Sequence, residues 1–167
     1  MKNSLRKTVL LGTLALAGGS TIPASAQALN QEALKAEISV VWEEYVRAFS
    51  EQRTAFIADQ VYTTPSFFLR ANGMQVSMAA SETRAMFESS LASLAAQGYQ
   101  RSETRSANIC VLNEMAAVFS GQFTRYRTDG SILSELAATY LFAKTPQGWR
   151  IVAQIGHSPE RILQCTD

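Results

Sequence analysis

The chain has a single histidine, His157. Imidazole is the one side chain whose ordinary charge change falls between about pH 5 and 8. His157 ends the run from Trp149, and strict alternation along a strand puts Trp149, Ile151, Ala153, Ile155 and His157 on one side. That places it at the end of a core face. There it can carry a proton at a pocket mouth, or it can be a structural imidazole bonded at the sheet end. The other usual proton carrier is a carboxylate shielded from water or oriented by a charged partner. The acids borne on strands are Glu103, Glu114 and Glu135, while Asp59 reads as helical, Asp129 lies in a turn and Asp167 is the last residue. No Asp falls within a predicted strand. Tyr45, Tyr62 and Tyr140 bring phenols, which demand a polar partner when buried, and a ligand can be that partner. Phe87, Phe119 and Phe123 extend the aromatic set, most of which a domain of this size needs in its core. Arg101 is the cation suited to a carboxylate or enolate oxygen, should its face line a cavity. These tyrosines, phenylalanines and Arg101 are the ligand-binding candidates, with His157 as the candidate acid or base.

Other chemistries have little support. One histidine with two cysteines is too little for a zinc site, so neither a metal nor a cofactor is expected. Cys110 and Cys165 can form one disulfide in an oxidising compartment, provided their alpha carbons come within about 7 Å. The alternative is two unrelated thiols, one buried and one in a loose tail. The compartment is suggested by the start of the chain. Lys2, Arg6 and Lys7 precede an apolar run from Thr8 to about Ala17, and Ala24-Ser25-Ala26 follows. A basic start, a short apolar middle and an A-x-A exit are the parts of a cleavable secretory signal. The apolar run is well short of the ~20 residues that cross a bilayer. Residues 1–26 are therefore expected to be a signal peptide cut before Gln27, with the product periplasmic or secreted and no stable membrane span after cleavage. The remainder carries 12 basic against 14 acidic residues. That balance argues against nucleic acid, which rewards a basic patch.

The elements that must position these residues follow from periodicity. Leu34, Ile38, Val41, Trp42, Tyr45 and Phe49 form one apolar stripe on a helix from about Gln31 to Glu51. Asn30 is its expected cap, and Leu29 with Leu34 an expected hydrophobic staple. A short helix near Thr54 to Gln60 stops before Pro65. Two short strands, Ser66 to Arg70 and Met74 to Met78, flank the turn dipeptide Asn72-Gly73. A third helix, from about Glu82 to Gln97 with Ser81 as cap, turns Thr83, Phe87, Leu91 and Leu94 inward. Then come four long strands: Tyr99 to Leu112, Ala116 to Arg127, Ile132 to Lys144 and Trp149 to His157. Asp129-Gly130 and Pro146-Gln147-Gly148 mark two of the hairpin turns. The first of the four has no apolar face between Tyr99 and Ser106. An edge strand explains this, because charge deters unwanted pairing; a polar pocket rim explains it as well. Gly121, in mid-strand, is expected to mark a bulge or bend. Helices first and a meander of strands afterwards make an α+β domain, here residues 27–159, with a C-terminal tail over 160–167.

This order resembles the nuclear transport factor 2-like (NTF2-like) superfamily, also called SnoaL-like. The residues carrying the likeness are Trp42-x-x-Tyr45 with Phe49, Tyr62-x-x-Pro65, and Gly98-Tyr99-x-Arg101-Ser102-Glu103. Arg125-Tyr126-x-x-Asp129-Gly130, Ala138-Thr139-Tyr140-Leu141 and Gly148-Trp149-Arg150-Ile151 complete it. The resemblance implies a cone-shaped, strongly bent antiparallel sheet capped by three N-terminal helices around a pocket. It is closest to a bacterial exported group of unsettled activity. The superfamily holds isomerases, cyclases, hydrolases, dehydratases and silent modules, so the fold fixes no single reaction. Relatives that use a pocket Asp find no strand-borne Asp here. The leading expectation is a binding module for a small, largely apolar ligand, working as a homodimer through the outer sheet face. The alternatives are an isomerase, cyclase or hydratase using His157, and an interaction subunit with a filled cone.

Overall fold

A computed structural model describes residues 24–165. Of the expected signal segment, residues 1–26, those before Ala24 lie outside the described residues, and Ala24, Ser25 and Ala26 begin the first helix. Helix α1 spans Ala24–Ser50. It begins earlier than expected and runs straight through Asn30, because the alanine-rich stretch before it is itself a good helix former. Asn30 therefore caps nothing, and its amide donates to Glu114 Oε1 at 3.4 Å. The predicted stripe is as read: Leu34, Ile38, Trp42, Tyr45 and Phe49 are all buried.

Helix α2, Thr54–Phe56, passes directly into a π-helical turn, Ile57–Val61. Helix α3 spans Ala80–Ala95 and buries Thr83, Met86, Phe87, Leu91 and Leu94. Ser81 is already inside it. Glu82 in the first turn reaches back past the N-cap Ala79, its carboxylate accepting the Met78 N–H at 2.6 Å.

The strands are β1 (Tyr62–Arg70), β2 (Gly73–Ser77), β3 (Tyr99–Asn113), β4 (Ala116–Arg127), β5 (Ile132–Thr145) and β6 (Gly148–His157). They form one curved, unclosed sheet in the order β2-β1-β6-β5-β4-β3. The sheet is mixed, not antiparallel throughout: β1 runs parallel to β6. A parallel pair needs a long crossover, and the chain between these strands supplies α3 and further strands. Strand β1 also starts before Pro65. Proline has no N–H for the ladder, and the β1–β6 register slips between Tyr62 and Phe67.

Strand β3 is the edge strand that its charged sequence suggested. Its register against β4 slips at three places, and bulges of this kind blunt an edge. Gly121 is not one of those places. It pairs regularly with Ala107 and Ala138. A Cβ there would come 2.9 Å from both the Phe119 and the Phe123 ring, so glycine is needed for the two rings to close over it.

One bulge decides which β6 side chains face the helices. Phe142 pairs with Ile151, but the next β5 position, Leu141, pairs with Ala153. Val152 is the extra residue, and one extra residue turns every later side chain to the opposite face. Trp149 and Ile151 face the helices; from there on Gln154 faces inward, and Ala153, Ile155 and His157 face out.

On the outer face the tail beyond β6 runs back over β3 and β4. Gln122 donates to the Pro159 carbonyl at 2.7 Å, Asn108 to the Leu163 carbonyl at 3.0 Å, and the Leu163 N–H to Ser120 Oγ at 3.1 Å. A Cys110–Cys165 disulfide, with alpha carbons 5.5 Å apart, fastens the tail's end to β3.

Candidate ligand-binding cavity

Between α1, α3 and the inner face of the sheet lies a cavity of about 100 Å³. Helix α1 supplies Trp42, Tyr45, Val46 and Phe49, which its 3- and 4-residue spacing puts on one side. Helix α3 adds Met86 and Phe87, and the inward positions of β4 to β6 add Phe123, Arg125, Tyr140 and Gln154.

Trp42 organises the floor. Its ring stacks on Phe119 with centroids 4.0 Å apart and meets Tyr140 edge-on at 4.8 Å, and its indole N–H donates to Thr104 Oγ1 at 2.9 Å. Tyr45 stands between Tyr62 and Tyr140, and its phenol interacts with both. The Tyr62 hydroxyl donates to Gln154 Oε1 at 3.1 Å. Burial pushes all three phenols up, Tyr62 and Tyr140 most strongly. They stay protonated near neutral pH and serve as hydrogen-bond donors, not as bases.

The structure brings together most of the sequence candidates. Tyr45, Phe87, Phe123 and Tyr140 line the cavity; Tyr62 and Phe119 pack directly behind that lining. Two candidates lie elsewhere. Arg101 pairs with Tyr126 across the β3–β4 ladder, stacks over that ring at 4.4 Å, forms an ion pair with Glu103 at 2.9 Å, and lines a separate hollow between α1 and β3 beside Trp42, Val46 and Ser102. The register slip between Tyr99 and Arg101 sets this, placing Ser102, not Arg101, opposite the inward Arg125.

His157 is also outside the cavity. The Val152 bulge turns it to the outer face, where Nδ1 is 3.0 Å from the Ser158 carbonyl and Nε2 is 2.9 Å from Thr139 Oγ1. A carbonyl only accepts, so Nδ1 carries a proton, and in the neutral ring Nε2 accepts from Thr139. Thr139 in turn meets the buried Ser120 hydroxyl at 2.8 Å, which takes the Leu163 N–H. His157 is thus one link in the chain of bonds that seats the tail.

Arg70, Arg125 and Gln154 are cavity residues that the sequence reading missed. Gln154 was hidden by the bulge. Arg125 is an inward position of β4, in alternation with Phe119 and Phe123. Among the described residues it forms no ion pair.

The sequence matches the NTF2-like protein family DUF6841 over residues 36–159. The chain belongs to this family. Solved NTF2-like structures superpose on the same architecture. An NTF2-like protein with a cystatin-like fold from Novosphingobium aromaticivorans aligns with a TM-score of 0.67 at 16% identity, covering 86% of this chain and 93% of its own. Aln2 from a Streptomyces species aligns at 0.64 and 11%, covering 77% and 92%. An NTF2-like superfamily protein from Salmonella enterica serovar Typhimurium aligns at 0.58 and 20%, covering 77% and 93%. At such identities the likeness concerns the fold. No curated protein sequence matches. For this NTF2-like domain the helix-capped, bent sheet is thus established, and the chemistry of its cavity rests on its own side chains.

Proposed function

We propose that the protein is an exported NTF2-like domain that binds a small, largely apolar ligand in the cavity between its helices and sheet. The observation that carries this is the space itself. Trp42, Tyr45, Phe123 and Tyr140 surround about 100 Å³ that the chain's own side chains leave open. Packed interiors seldom leave voids larger than a water molecule, and an apolar pocket with a few polar groups is the usual form of a small-molecule site. A filled-cone interaction subunit would have no use for it. A SnoaL-like isomerase, cyclase or hydratase built on His157 is disfavoured, since that imidazole faces the other side of the sheet and is committed to the tail.

The same proposal includes a homodimer through the part of the outer face that the tail leaves open. There Val76, Phe67, Ala153 and Leu141 lie side by side on neighbouring strands, with Leu69 and Ile155 paired in an adjacent row. An apolar strip across adjacent strands is what a sheet-to-sheet contact buries. Introducing charge there by Leu141→Arg should turn a dimer into a monomer in sedimentation velocity; a wild-type chain that sediments as a monomer at high concentration contradicts this part.

Native mass spectrometry of protein recovered after expression with its leader tests the rest. The expected species starts at Gln27 and carries a small molecule that is lost on collisional activation. Titration with a small neutral aromatic such as benzyl alcohol should give a saturable heat signal. Unoccupied protein that also takes up no such probe would remove the binding reading.

A further inference from the structure

We propose that the cavity's ligand is an anion: a single-ring or similarly small planar molecule bearing a carboxylate, with Arg125 receiving the carboxylate and the ring lying against Trp42 and Tyr140. This rests on the binding reading above and adds the chemical class of the ligand.

The first support is the state of Arg125. It projects inward beside Phe123, and its guanidinium lies over the Phe49 ring at 5.6 Å. Among the described residues no carboxylate forms an ion pair with it. The nearest candidate on the cavity wall, Glu103, is held by Arg101 at 2.9 Å. A half-buried guanidinium with an unused planar fork is a receptor for a carboxylate.

The second support is the sign of the field. Arg70, also on the cavity wall, forms no ion pair among the described residues either, and donates to Met86 Sδ at 3.3 Å. The charge on Arg125 acts on the Tyr45 and Tyr140 hydroxyls, and that on Arg70 acts on Tyr62, in each case favouring negative charge. Two cations thus face a cluster of protonated phenols, and the Arg125 guanidinium has donors to offer an oxyanion. In a partly dry site such charge is screened less than on the surface.

The third support is size. An apolar cavity of about 150 Å³ is known to admit one benzene ring, and this one has about 100 Å³ with an open mouth. The space is smaller than a whole ring needs, so a ring lies against the aromatic floor only with part of it in the open mouth, and a ligand larger than one ring is excluded.

The test compares benzoate with its neutral analogue benzyl alcohol by calorimetry on the wild-type protein and on Arg125→Gln. Wild type should bind benzoate roughly 10- to 100-fold more tightly, the worth of one charge-assisted pair, and the preference should shrink as salt is added. Arg125→Gln should bring benzoate down to the level of benzyl alcohol. Benzyl alcohol binding with no preference for benzoate would overturn the inference and leave the binding reading intact. A benzoate preference that survives Arg125→Gln would overturn the assignment to this residue. Should the variant unfold, the wild-type comparison and its salt dependence still decide. If neither compound binds, both this inference and the reading beneath it fall.

Discussion

Replacing Trp42 by alanine is expected to destabilise the domain by about 3 to 5 kcal/mol, the range for deleting a large buried aromatic. The side chain is 5% exposed and touches Phe119, Phe123, Tyr45 and Tyr140, so it joins α1 to β4 and β5. Its removal would leave those rings unsupported and the Thr104 hydroxyl without its indole donor. The value should fall toward the lower end, because Trp42 borders an existing cavity that water can enter. A domain is commonly stable by only about 5 to 15 kcal/mol, so the variant should show a much lower urea midpoint by circular dichroism. Trp42→Phe keeps the stacking and loses the indole N–H, and should cost about 1 kcal/mol. A Trp42→Ala midpoint indistinguishable from wild type would mean that the helix is held to the sheet by other contacts.

Reducing the Cys110–Cys165 disulfide is the second large effect. The two residues are 55 apart in sequence, and closing a loop of that length restricts the unfolded chain by about 4 kcal/mol in the loop-entropy account. For a domain of this size that is a fall in Tm on the order of 10 °C. The folded side adds a local signature. The tail's seat depends on Ser120, Thr139, His157 and Asn108, and its last anchor is the disulfide. With that anchor cut, the Leu163 N–H should lose its protection from hydrogen exchange while the amides of β4 keep theirs. Thermal scans with and without reductant, repeated on Cys165→Ser, measure the first effect. An unchanged Tm would show that tail closure contributes nothing to stability.

Both predictions draw on parts of the molecule that were unequally visible in the sequence. The Trp42 stripe was plain, because α1 buries one side at helical spacing. The pairing of Cys110 with Cys165 was open, because spacing cannot tell where a tail returns. The tail's course depends on outward hydroxyls at Ser120 and Thr139, which alternate with aromatic core residues and resemble ordinary solvent-facing positions.

The site divides along the same line. Tyr45, Phe87, Phe123 and Tyr140 line the cavity because each lies on an unbroken periodic run. His157 and Arg101 lie outside the lining of this cavity because a register slip precedes each of them. Past a bulge, alternation continues with the opposite sign, and nothing in Ile151-Val152-Ala153 marks the change, since all three are apolar. Gln154 entered the cavity for the reason that His157 left it.

The amino-acid pattern alone thus determined the elements, their order, the α+β class and the aromatic floor, because periodicity and turn chemistry are local properties that neighbouring residues report. Tertiary structure alone decided the parallel β1–β6 pairing, the inward turn of Gln154, the outward turn of His157 and, among the described residues, the lack of an ion pair at Arg125. Each of these depends on which strand lies beside which and in what register. That is settled by contacts between residues far apart in the chain, where one inserted residue exchanges the two faces of a sheet.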